Sequence, residues 1–196
     1  MARSPVLHPP GTRRFTRAEY DRLIHIGFLD EDEPLELLGG EMVVKEPQAG
    51  PHATSVHLVQ QVLQRIFGRG WLVRSQLPVA LDDDSEPEPD ACVVRGVVRD
   101  YRDDHPRRPV LVVEVADDSL SRDRILKGSL YARAGVADYW IVDLRARVLE
   151  VYRSPIRSTR ATHGWRYSRV ERLSPKAVAS PLAAPRRHVR VADLLP

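Results

Sequence analysis

Three residues carry the strongest chemical signal: Glu114, Asp90 and Lys127. Glu114 stands alone among Val110, Leu111, Val112, Val113 and Val115. So apolar a run reads as a central strand covered on both faces. A carboxylate buried there is costly unless a metal ion, an arginine or a lysine compensates it; the competing reading is a strand end at which Glu114 reaches water. The Ala-Asp-Asp-Ser stretch that follows favours a position near the strand's C-terminal end, where open α/β sheets bind their ligands. Asp90 follows Pro89 and opens a second short strand, 91–94. Alone it also reads as a turn aspartate after proline. If the two strands are neighbours, the two carboxylates repel unless a cation lies between them. A hard divalent ion such as Mg²⁺ takes one or two carboxylates and completes its shell with water and substrate phosphate. Lys127 lies 13 residues after Glu114, on the helix that should leave that strand. It can form an i,i+4 ion pair with Asp123. It can also point into the carboxylates, where an ammonium orients an attacking water or stabilises charge at phosphorus.

The elements that must position these groups follow from hydrophobic periodicity and turn chemistry. Thr16 and Glu19 have the spacing of a capping box and start a helix that Gly27 stops. Residues 35–45 read as two short strands around Gly39-Gly40, and residues 52–67 as an amphipathic helix. Strand character recurs at 71–81, 91–94, 109–115, 138–142, 148–152 and 165–170, with an acidic, proline-rich loop at 82–90 and a helix at 121–134. One strand–helix–strand crossover inside a run of strands predicts an α/β sandwich with a mixed central sheet. The 196 residues are divided into a loose arm (1–14), one domain (15–172) and a basic Pro/Ala/Arg-rich tail (173–196), weakly ordered until residue 189.

Composition narrows the class. Hydrophobic residues make up 42% and charged residues 29%, which excludes a chain disordered throughout. No apolar run spans a bilayer and the start has no apolar signal core, so a cytoplasmic, membrane-free protein is expected. The lone cysteine, Cys92, excludes an internal disulfide and a cysteine-rich metal cage. The net charge of +3 hides an asymmetry: residues 1–144 carry −6 and residues 145–196 carry +9. An acidic body beside a basic C-terminal third suits a metal site paired with a surface for a polyanion; a merely solvated surface is the other reading.

Pro89-Asp90, Glu114-Val115, Ser119-x-x-x-Asp123-x-x-x-Lys127, Tyr131-Ala-Arg-Ala-Gly-Val136 and Tyr139-Trp140-Ile-Val-Asp143 together resemble the Uma2 family (DUF820) of the PD-(D/E)XK nuclease superfamily. The resemblance covers about residues 15–153. It implies a restriction endonuclease-like three-layer core, a mixed central sheet flanked by helices, and Mg²⁺-dependent hydrolysis of DNA phosphodiesters, with Mn²⁺ as a substitute. By position, Asp90 matches the PD aspartate and Glu114 the second acidic residue. The usual lysine position, two residues on, holds Ala116; the family pattern moves the lysine to the next helix, where Lys127 stands. The resemblance further implies Glu36 and the Val115 carbonyl as metal ligands and His52 and Gln76 as supporting polar groups. Ser119 and Asp123 would steady the loop and Lys127. Arg153, Arg157, Arg166 and Arg169 are the candidate DNA-backbone contacts, and a homodimer would allow both strands to be cut. The alternatives are a catalytically inactive nucleic-acid- or protein-binding module on the same fold, and a purely structural ion-pair network.

Overall fold

The computed structural model describes residue 11 and residues 13–30, 33–45 and 47–196. The expected N-terminal arm falls mostly outside them. The elements are α1 (Arg17–His25), β1 (Leu35–Leu38), β2 (Glu41–Val44), α2 (Gly50–Ile66), β3 (Trp71–Arg74), β4 (Ala91–Arg95), β5 (Leu111–Ala116), α3 (Leu120–Arg122), a π-helical turn (Asp123–Lys127), α4 (Gly128–Arg133), β6 (Asp138–Asp143), β7 (Val148–Arg157), β8 (Trp165–Leu173), β9 (Val178–Ala179) and β10 (Val189–Arg190). β3 to β8 form one six-stranded sheet in chain order. Only the β5–β6 pair is parallel, joined by the helical segment 120–133; its neighbours in the sheet pair antiparallel.

The period-2 alternation of strands divides the central residues between two faces. Leu111, Val113 and Val115 of β5, with Ala91 and Val93 of β4, pack under Val56, Val59, Val62 and Leu63 of α2. Val112, Ala116, Cys92 and Val94 face the other way, against Leu130, Tyr131 and Ala132 of α4. Each buried valine or leucine among them contributes about 1.5–3 kcal/mol of burial free energy. The result is a three-layer α/β core with a mixed sheet, as expected.

Four expectations need correction. Residues 174–188 are not weakly ordered: Val178–Ala179 form β9, which pairs with β10, and Ala179 joins the core, where Val189, Val191, Leu194 and Leu195 of the segment expected to be ordered also pack beside α2. The Ser55 hydroxyl donates to the Leu194 carbonyl at 2.7 Å, tying this segment to α2. Second, the strand pair or bent strand expected over 71–81 is one short strand that ends at Arg74, and Gln76 takes a left-handed backbone (φ 52°). Third, β7 and β8 run past the expected 148–152 and 165–170, as far as Arg157 and Leu173. Fourth, α2 begins ahead of Pro51, which sits in its first turn, where proline's missing N–H costs nothing. No helix among the described residues is long and apolar enough to cross a membrane.

Candidate active site

Sheet register brings the first two carboxylates together. Ala91 pairs with Val113 and Cys92 with Val112. Continued by one residue, this register sets Asp90 opposite Glu114 on the α4 face. The backbone agrees: the Val115 N–H donates to Asp90 Oδ2 at 2.8 Å, and the Asp90 N–H approaches Glu114 Oε2 at 3.4 Å. Both lie at the end of β5 where the chain leaves for the helix.

Lys127 arrives from that helix through an irregularity. Over Asp123–Lys127 the helix widens, and the Gly128 N–H bonds to the Asp123 carbonyl five residues back. The Tyr139 hydroxyl donates to the same carbonyl at 3.0 Å. A Cβ on residue 128 would come within 3.2 Å of that oxygen, so glycine suits the position. Widened turns of this kind recur at functional sites. Here the turn buries Lys127, whose ammonium lies 3.1 Å from Glu114 Oε1 and 3.1 Å from Glu36 Oε1. Asp123 instead accepts from the Ser119 hydroxyl at 2.5 Å. The helical Asp123–Lys127 reading therefore gives way to a lysine bridging two carboxylates from distant strands.

Glu36 is placed by the hairpin of β1 and β2, which is stitched to the acidic loop. The Glu86 N–H donates to the Leu37 carbonyl at 2.7 Å, and the Glu88 N–H to Glu36 Oε1 at 2.7 Å. The segment that fixes Glu36 thus runs directly into Asp90. Glu36 Oε1 is shared between Lys127 and the Glu88 N–H, so this carboxylate holds the lysine through one oxygen, and it lines the same cavity as Asp90 and Glu114.

The surroundings strain the charge balance. Burial first, then the charges of Asp123, Asp90 and Glu36, push the Glu114 carboxyl up to about 8 against the pull of Lys127. Burial would lower the Lys127 pKa, but the surrounding carboxylates, Glu114 foremost, raise it above the ordinary lysine range. Burial likewise raises Asp123. The Tyr131 hydroxyl donates to Glu114 Oε1 at 2.6 Å and is itself held well above the usual tyrosine range, by burial foremost. Tyr131 is the site residue that sequence reading did not assign. Its signal was available: one helical turn past Lys127, it shares that residue's face.

The supporting polar residues fall around Asp90. His52 Nε2 lies 3.3 Å from Asp90 Oδ2, and burial's downward pull on its pKa is overcome by the hydrogen bond and charge of Asp90. Gln76 Nε2 reaches Asp90 Oδ1 at 3.4 Å. Its left-handed backbone is a strained conformation of the type that clusters at functional sites. These groups line one cavity of about 370 Å³ that holds seven carboxylates and only three lysine or arginine side chains.

The arginines expected to touch DNA are dispersed. Arg153 Nε donates to the buried Asp138 at 2.8 Å and its Nη2 to the Ser180 carbonyl at 2.6 Å, so its guanidinium is spent inside the fold; this corrects its assignment as a DNA contact. Arg169 pairs with Glu171 at 2.5 Å on the outer strand β8. Arg157 and Arg166 line a separate groove.

The donor set fits a hard divalent ion. Among the described residues Asp90 Oδ1 and Glu114 Oε2 each have one long contact, at 3.4 Å, and both residues line the cavity with Val115. Among the described residues no group of three or more His, Cys, Asp or Glu side chains is disposed to hold a metal ion, so an ion here would rest on two carboxylates. Mg²⁺ takes one or two carboxylates and fills the rest of its shell with water and substrate phosphate.

A family model described as "Uma2: Putative restriction endonuclease" matches residues 17–186. Among solved structures, one described as "a putative nuclease belonging to DUF820", from Anabaena variabilis, superposes with a TM-score of 0.66 at 20% identity, over 88% of this chain and 96% of that one. At that identity the likeness speaks to the fold. Among curated proteins no match is found.

Proposed function

The chain belongs to the Uma2 family, described as putative restriction endonucleases, and from that premise we propose that it is a Mg²⁺-dependent DNA endonuclease whose lysine acts from the helix after β5. One observation carries the reading: a buried ammonium 3.1 Å from Glu114, beside Asp90, at the end of the parallel strand pair. Asp90, Glu114 and the Val115 carbonyl would hold the ion, with Mn²⁺ as a substitute. When bound, Mg²⁺ supplies a water of lowered pKa and neutralises charge at the scissile phosphate.

The remaining work falls to the chain's own side chains. Lys127 orients the attacking water by hydrogen bond and offers its charge to the pentavalent phosphorus. Glu36 fixes the lysine from the side away from Glu114's own strand. Tyr131 fixes the Glu114 carboxyl through Oε1, which leaves Oε2 for the ion. His52 and the Val115 N–H hold Asp90 through Oδ2, which leaves Oδ1. Each carboxylate thus has one oxygen engaged by the protein and one lightly held. Cutting both strands of a duplex takes a second copy of the site.

Supercoiled plasmid with Mg²⁺ or Mn²⁺ tests this. The wild type is expected to nick it, chelator to stop the reaction, and Asp90→Asn and Lys127→Met each to slow it about 10³-fold. Asp90→Asn cutting at the wild-type rate would contradict the reading. Plasmid binding without cutting under either metal would favour the inactive binding module.

A further inference from the structure

We propose that the groove between the 120–133 helical segment and the β7–β8 hairpin holds a single-stranded stretch of DNA continuous with the strand being cut. This rests on the nuclease reading of the carboxylate cavity and adds to it a second surface with a different task.

The groove, about 820 Å³, lies on the other side of the helical segment that carries Lys127. Its described lining contains no carboxylate and four arginines: Arg124, Arg157, Arg160 and Arg166. Arg124 is held by Glu150, 2.9 Å from its Nε, and forms a fixed wall. Arg157 lies over the Trp165 ring, 5.4 Å from its centroid. Arg160 and Arg166 are exposed, while Trp165 and Tyr152 are half-buried and line the groove.

Guanidiniums interleaved with aromatic rings suit one ligand chemistry above others. Phosphates follow the positive charge and unpaired bases stack on the rings without sequence readout. The bases of a duplex already stack on one another and leave no face for Trp165. An acidic peptide would match the charge, but the connection to the cavity favours the nucleic-acid strand. A shallow depression beside the helix shares Asp118, Ser119 and Arg122 with the carboxylate cavity and Ile125 with the groove. Ile125, 59% exposed, forms an apolar shoulder between the two. A strand whose phosphate sits at Asp90 and Glu114 therefore has a continuous route over this shoulder to the arginines.

The test is fluorescence anisotropy in chelator, so that no cleavage intervenes, with the full chain and a labelled oligonucleotide of about 12 nucleotides, single-stranded or as a blunt duplex. The wild type is expected to prefer the single strand. Arg160→Glu should weaken that binding at least about 10-fold and flatten its dependence on log salt by about 0.7 per lost phosphate contact. Trp165→Leu should weaken it about 10-fold. Arg169→Glu, the same charge reversal outside the groove, should have a markedly smaller effect. Equal losses at Arg160 and Arg169, or equal affinity for duplex and single strand, would overturn the proposal. Should Trp165→Leu misfold, Arg160→Glu at an exposed position still decides. The two readings fail separately. Plasmid cleavage with single-strand binding indifferent to Arg160→Glu overturns the groove alone, whereas Arg160-dependent binding without cleavage under any metal removes the nuclease reading and leaves a single-strand site.

Discussion

The helical segment 120–133 separates two concavities built on opposite electrostatic principles. Toward the sheet, Asp123 and Lys127 border a cavity with seven carboxylates and three lysine or arginine side chains. On the other side, Arg124, Gly128 and Ser129 border a groove with four arginines and no carboxylate among its described lining. In the cavity Glu36, Asp90, Glu114, Asp123 and Lys127 are buried, and burial is the foremost influence on Glu114, Lys127 and Asp123 alike. In the groove Arg157, Arg160 and Arg166 remain exposed and keep most of their hydration. Like charges buried together repel unless a cation or a proton neutralises them, and in the cavity Lys127 supplies that cation to Glu36 and Glu114. Exposed like charges cost the fold little and remain available to a polyanion. The same chain thus stores electrostatic stress where chemistry is proposed and spreads charge where binding is proposed.

The contrast can be broken most forcefully at its buried end. Lys127→Met removes the cation and leaves Glu36 and Glu114 facing one another. Losing one partner of a buried pair costs about 3–5 kcal/mol, or roughly 10 °C in Tm for a chain of this size. Thermal unfolding followed by circular dichroism reads it. The deficit should shrink as pH falls, because protonating the orphaned carboxyls relieves their repulsion. A variant as stable as the wild type at neutral pH would mean that the acidic cluster carries no such stress.

A smaller effect sharpens the picture at the loop that supports the cavity. Burial, then the charge of Asp21, raises the Glu86 carboxyl to about 7 despite Arg17 3.6 Å away. A carboxyl raised in the fold contributes most below its ordinary value near 4.5, and that contribution is lost as pH climbs through about 7. Glu86→Gln should therefore gain stability over the wild type between pH 5 and pH 8, by about 2 kcal/mol. Urea unfolding at the two pH values measures it; a difference independent of pH would show that Glu86 ionises freely. The smallest effect belongs to the groove. Arg160→Ala and Arg166→Ala should each change stability by no more than about 0.5 kcal/mol, since neither guanidinium is buried. A loss comparable to that of Lys127→Met would erase the distinction between the two regions.

Much of the cavity was legible in the sequence because two strong local rules applied. A single carboxylate within an apolar strand draws attention to Glu114, and the period-2 pleat with antiparallel register then puts Asp90 across from it. What local rules could not supply was long-range geometry. A regular helix allows Lys127 to pair with Asp123, and only the widened turn, held by the Tyr139 hydroxyl on the Asp123 carbonyl, accompanies its turn toward Glu114 and Glu36. Tyr131 reads as one more core aromatic until its hydroxyl is found on Glu114. Arg153 looks like any basic residue of the C-terminal third, yet it neutralises Asp138, which is fully buried. The apolar residues of 174–196 are scattered among prolines and show no period; they gain partners from distant elements, α2 among them, more than a hundred residues earlier.

The claim that Asp90 and Glu114 jointly hold a divalent cation can be met without any substrate. Calorimetric titration of Mn²⁺ into the purified chain should give a saturable heat in the wild type, greatly reduced in both Asp90→Asn and Glu114→Gln. A wild type that takes up no Mn²⁺, or an Asp90→Asn variant that takes it up as well as the wild type, would contradict the account.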